Sequence, residues 1–171
     1  MLVSRSTINR CGVGVAALSL VAAAGLIAAN PASAHATVQM YGGSAKTGAY
    51  GALWIRIGHG CEGSPTKRVV VNVPPSFGSS KPQMLGGWRS KVNVLPDGTR
   101  QLVWNATGEP LRDDEFEDFG ISVKYPTTAG EVLLPTIQTC TAGKTAWVDS
   151  DPAAEHPAPR LTVAPATPAS T

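Results

Sequence analysis

The chain has 171 residues, with 14 basic and 12 acidic side chains and a formal net charge of +2. That length suits one domain of ordinary size. A balance so close to neutrality offers no basic patch for nucleic acid.

The first 34 residues read as a cleavable export signal. Arg5 and Arg10 provide a positive start, and Gly12 to Ala29 is an uncharged apolar run rich in Ala, Val and Leu. Asn30 and Pro31 break that run, and Ala32-Ser33-Ala34 gives the small-x-small pattern a signal peptidase accepts. A transmembrane anchor is the rival reading, because the run is long enough to span a bilayer. Its high alanine content and the cleavage pattern directly behind it favour export. Cys11 precedes the apolar run instead of following it, which argues against a lipoprotein. Cleavage between Ala34 and His35 yields a secreted or cell-envelope protein that starts at His35. It also removes two basic residues, leaving twelve against twelve acidic ones. No second apolar stretch follows, so no membrane anchor is expected.

From His35 to Val163 nothing reads as a long helix. Gly and Pro punctuate the chain about every ten residues, with short β-branched and aromatic runs between them, the rhythm of a sandwich or barrel. Strands are expected at Ala36–Tyr41, Tyr50–Ile57, Arg68–Val73, Trp88–Leu95, Arg100–Asn105, Gly120–Tyr125, Glu131–Leu134, Thr145–Asp149 and Arg160–Val163. In the second of these, Ala52, Trp54 and Arg56 alternate with Leu53, Ile55 and Ile57, so both faces are expected to be partly buried. Pro96-Asp97-Gly98 is a turn, because Pro presets φ and Gly accepts a positive φ. It joins its flanking strands as a hairpin. Glu109–Asp118 is an acidic run around Phe116, followed by Phe119. It lacks the alternating ligands and central Gly of a calcium loop, and reads as a solvated connection with both Phe residues packed inward. The domain is expected to span residues 35–164. Residues 165–171 form a tail with too little apolar surface to offset the entropy of ordering.

Loss of the signal leaves two cysteines, Cys61 and Cys140. An even pair in an exported chain reads as a disulfide, with two free thiols or a shared metal site as alternatives. A blue-copper site needs a free Cys with two His, so the disulfide excludes it. Met40 and Met84 read as core residues. No Ser-His-Asp or Cys-His arrangement is legible, which leaves hydrolase chemistry unsupported.

His35 is the residue that draws attention. A histidine at a free N-terminus offers its α-amine and its ring Nδ1 to one ion as a chelate. The amine has a pKa of about 7.7–8.0, so little proton affinity has to be displaced at neutral pH. Two nitrogen donors favour Cu²⁺ over the other common divalent ions. The bland alternative is a histidine that merely follows the cleavage site. His59 sits in Gly58-His59-Gly60-Cys61. If the first two strands pair antiparallel, the end of the second returns towards His35 and brings His59 within reach; otherwise His59 is a surface turn residue. His156 lies in a Pro-rich stretch and is assigned no role.

Several features together resemble the YcnI-like family of exported bacterial proteins. They are His35-Ala36-Thr37-Val38, Tyr50 opening a strand, Gly58-His59-Gly60-Cys61-Glu62-Gly63-Ser64-Pro65-Thr66, Val73-Pro74, Lys81-Pro82, Gly87-Trp88, Val103-Trp104, the acidic segment leading to Phe119, and Gln138-Thr139-Cys140 with Gly143 and Trp147. The resemblance implies a Greek-key β-sandwich, cupredoxin- or immunoglobulin-like, that holds Cu²⁺ at the mature N-terminus through a one-histidine brace. It implies copper import or handling outside the membrane, with a copper importer or chaperone as partner. It makes His35 the ligand and Trp147 a cover for the ion, since an indole N–H only donates. As aligned, the family's carboxylate follows the tyrosine that opens the second strand, whereas here Tyr50 is followed by Gly51. The third ligand then falls to Asp149, Glu62, His59 or water. The expected role is chelation without catalysis. Two other classes compete with it: a metal-free sandwich that binds another protein at the cell surface, and a copper-dependent oxidative enzyme built on the same terminal histidine.

Overall fold

The structure, a computed structural model, describes residues 35–167. The expected export signal, residues 1–34, and the end of the expected tail, residues 168–171, lie outside the described residues. The described chain is all β, and among the described residues no helix is long and apolar enough to cross a membrane.

Among the described residues, twelve strands form three sheets. β1 (Thr37–Gln39), β3 (Tyr50–Ile57), β8 (Glu117–Lys124) and β5 (Ser79–Pro82) make one sheet in that order. β11 (Lys144–Trp147), β10 (Thr136–Cys140), β4 (Thr66–Val73), β7 (Arg100–Ala106) and β6 (Trp88–Val94) make the second. A small third sheet holds β2 (Ala45–Lys46), β12 (Arg160–Ala164) and β9 (Gly130–Leu133). Within it β12 runs parallel to β2. The chain crosses between the two large sheets after β3, β4, β5 and β7. Their inner faces form the core of a sandwich.

The alternation read in β3 is the pattern of a strand with one buried face. Leu53, Ile55 and Ile57 are buried, while Ala52 is exposed and Trp54 and Arg56 are only half-buried. Val69, Val71 and Val73 of β4, Leu102 and Trp104 of β7, and Phe119, Ile121 and Val123 of β8 meet them in one apolar cluster. The Phe119 ring stands edge-on to Trp88 at 4.9 Å and tilted to Trp104 at 5.4 Å, separations at which aromatic pairs attract.

All nine expected strands are present; β3 has the expected bounds, and the other eight differ at one or both ends. Three short strands were not foreseen. β2 has two residues, β5 is Ser-Ser-Lys-Pro, and β10 buries Thr136, Gln138 and Cys140, so none carries an apolar period. The hairpin around Pro96-Asp97-Gly98 forms as expected, pairing β6 with β7. The acidic segment corrects one expectation. Phe119 is fully buried, but Phe116 is exposed and lies under the Arg56 guanidinium at 4.3 Å, a cation–π contact in place of core packing. Met84 is likewise an exposed residue and not a core one, because its strand-edge loop leaves it 91% accessible. Met40 packs against the core as expected.

Candidate functional site

Four segments meet at one end of the sandwich. The first is the entry to β1. β1 and β3 pair antiparallel with Thr37 opposite Arg56, so His35 returns to the end of β3 and the turn that follows it. The second is that turn. Cys61 and Ser64 exchange backbone hydrogen bonds at 3.0 and 2.9 Å. Between them, Glu62 and Gly63 both take positive φ, 51° and 81°, as a type I′ turn demands. Glu62 is thereby held at the tip in a conformation that side-chain-bearing residues seldom adopt. Gly60 is required: a Cβ there would lie 2.1 Å from the Ser64 carbonyl oxygen. Its N–H donates to Asp113 Oδ1 at 2.8 Å, which ties the turn to the acidic segment.

The third segment is β10 with β11. The Cys61–Cys140 disulfide fastens the turn to β10, with Cα atoms 5.9 Å apart. Two residues before Cys140, the buried Gln138 joins three groups. Its amide nitrogen donates to the His59 carbonyl at 2.7 Å and to Thr66 Oγ1 at 2.8 Å, and its oxygen accepts from Trp147 Nε1 at 3.0 Å. Trp147 ends β11 and is 3% exposed. Its polar edge is thus turned to Gln138. The fourth segment is the connection from β11 to β12. Val148 and Asp149 both donate backbone N–H groups to the His156 carbonyl at 3.1 Å.

These segments enclose a cleft of about 830 Å³, lined among others by His35, His59, Glu62, Trp147, Glu155 and His156. The ring centroids of His35, His59 and His156 stand 5.9, 6.2 and 5.1 Å from that of Trp147, each edge-on. His59 Nδ1 also contacts the Gly60 carbonyl. Imidazole and carboxylate donors of this kind suit a borderline ion such as Cu²⁺. Among the described residues no three His, Cys, Asp or Glu side chains already converge on one point. A site here therefore needs a further donor or a movement of the lining side chains.

Of the residues expected to serve a metal, His35, His59, Glu62 and Trp147 come together. Asp149 does not line the cleft. β11 ends at Trp147, two residues short of it, and its carboxylate accepts the Asp151 N–H at 3.4 Å. Position 51 is also far from the cleft. The β1–β3 register puts His35 near the last residues of β3, whereas Gly51 is the second residue of that strand. A Cβ on Gly51 would lie 2.7 Å from the Tyr125 ring. The alignment that set a missing carboxylate there is corrected by this register: no side chain at 51 would reach His35. His156, assigned no role from sequence, is a lining residue. Its separation from Trp147 in sequence concealed this, because a loop closes the distance. Gln138 gave one signal only, its place beside Cys140.

The family model described as a domain of unknown function, DUF1775, matches residues 35–163. Among solved structures, the chain is similar to an uncharacterized protein from Nocardia farcinica whose crystal structure reveals an immunoglobulin-like fold. That likeness has a TM-score of 0.65 and 28% identity, and covers 76% of this chain and 98% of the other. It is also similar in fold to a cohesin module of a family 33 glycoside hydrolase from Clostridium perfringens, with a TM-score of 0.52 and 8% identity, over 77% of this chain and 97% of the other. No curated protein matches the chain.

Proposed function

This chain belongs to the DUF1775 family, and we propose that it is a YcnI-like member: an exported protein that holds Cu²⁺ at its mature N-terminus for acquisition or transfer. The observation that carries the reading is the presence of His35 and Glu62 in one cleft over the buried face of Trp147. The family match also begins at His35, the residue whose amine is freed by cleavage after Ala34.

In this reading the α-amine and imidazole of His35 form the chelate, and Glu62, fixed at its turn tip, supplies an oxygen. Trp147 walls the ion off from below. Its N–H is already spent on Gln138, so it contributes a surface and no donor. The protein makes and breaks no covalent bond of a substrate. It binds, shields and surrenders an ion, and a copper importer or chaperone would receive it. The disulfide keeps Cys61 and Cys140 from competing as thiolate ligands.

Isothermal titration with Cu²⁺ tests this on protein processed to start at His35. One ion should bind tightly. A single extra residue before His35, or His35→Ala, should weaken binding by roughly 100-fold or more, since either removes a donor of the chelate. Equal affinity with and without the extra residue would overturn the brace. A second reading has its own support: Tyr41, Tyr50 and Phe116 are exposed large apolar side chains, as a metal-free module that docks on another protein would require. Absence of tight Cu²⁺ binding by the correctly processed chain would select that reading.

A further inference from the structure

We infer that His156 is a second imidazole ligand, delivered to the ion by the connection between β11 and β12; this rests on the copper reading above. Cu²⁺ prefers a tetragonal set of nitrogen and oxygen donors. His35 supplies two and Glu62 one, which leaves a position for one more group. The cleft offers two further imidazoles, and they differ in how they are held. The His59 ring is already engaged: its Nδ1 contacts the Gly60 carbonyl. His156 is hydrogen-bonded through its backbone, and its ring stands edge-on to Trp147. Its carbonyl accepts the Val148 and Asp149 N–H groups, and Ala158 N–H donates to the Asp149 carbonyl at 2.9 Å. A bridge between Asp149 and Pro157 completes the clasp.

The loop is therefore pinned one residue past Trp147 while the His156 side chain stays exposed. Its ring is the nearest of the three to Trp147, at 5.1 Å. Rotation about its side-chain bonds moves the ring within the cleft without breaking any of these backbone bonds. This also accounts for the absence of a ready-made three-residue cluster among the described residues: the last ligand swings in with the ion. A carbonyl clasp that fixes position and an exposed ring that can turn are what such a late ligand requires.

The alternative role for His156 is edge-on packing against Trp147, and nitrogen counting separates the two. Copper-loaded protein starting at His35 is examined by pulsed electron paramagnetic resonance, alongside His156→Ala and His59→Ala, with circular dichroism to verify that each variant is folded. The wild type should show two coordinated imidazoles. His156→Ala should show one, with Cu²⁺ affinity reduced roughly tenfold or more, and His59→Ala should retain two. A His156→Ala spectrum identical to the wild type, or loss of the second imidazole in His59→Ala instead, would overturn the inference while leaving the His35 chelate standing. Failure of the wild type to bind Cu²⁺ would remove the copper reading itself.

Discussion

Gln138 shows how one buried amide organises the site. Its oxygen accepts from Trp147 Nε1 and its nitrogen donates to Thr66 Oγ1, both removed from water, and to the half-buried His59 carbonyl. Replacement by Leu keeps the volume but strands these partners, and an unsatisfied buried group costs about 1–3 kcal/mol. Gln138→Leu is expected to lose roughly 2–4 kcal/mol in urea unfolding, with a change in tryptophan emission as the Trp147 edge loses its acceptor. A glutamine two residues before a cysteine carries no such meaning in sequence, because its partners lie 9, 72 and 79 positions away. His35 is the contrast. The chelate proposed for it would belong to one residue, and was read from the expected cleavage pattern alone.

At the scale of elements, the outer face of β3 and β8 carries an ion pair that links three segments. Arg56 donates through Nε to Asp118 Oδ1 at 2.9 Å and through Nη2 to Oδ2 at 2.8 Å, and the Tyr41 hydroxyl donates to the same carboxylate. Burial alone would raise the Asp118 pKa. The hydrogen bonds from Arg56 and Tyr41, with the Arg56 charge, outweigh it and bring the pKa below the usual carboxylate value. A carboxylate depressed on folding stabilises the protein above its unfolded pKa of about 3.9. That contribution fades as pH falls through the lower folded value. Because the pair is partly solvated, Asp118→Asn should cost about 1 kcal/mol or less at neutral pH. The gap between variant and wild type in a pH series of chemical denaturation should close below about pH 4. β3 was readable to the residue because its alternation is strict. β10 was not, because its buried positions are Thr, Gln and Cys, chosen for the site and the disulfide instead of for apolar burial.

For the whole molecule, the Cys61–Cys140 bond closes a loop across 79 positions and joins the turn after β3 to β10. Chain-entropy reasoning assigns such a loop roughly 4–5 kcal/mol, against a total of about 5–15 kcal/mol for a typical domain. The Cys61→Ser, Cys140→Ser double variant should therefore unfold at much lower denaturant, read by circular dichroism, and reduction of the wild type should reproduce the shift. Composition and spacing by themselves determined the all-β class and the pairing of the cysteines, since each is written in neighbouring residues or in a parity count. Only the tertiary structure decided the company His35 keeps. The β1–β3 register removed position 51 from consideration, a strained turn held Glu62 at the cleft, and the loop after β11 brought His156 back to Trp147. Those relations depend on strand pairing and loop closure between distant residues, and a linear pattern of residue types carries no trace of them until the sheets form.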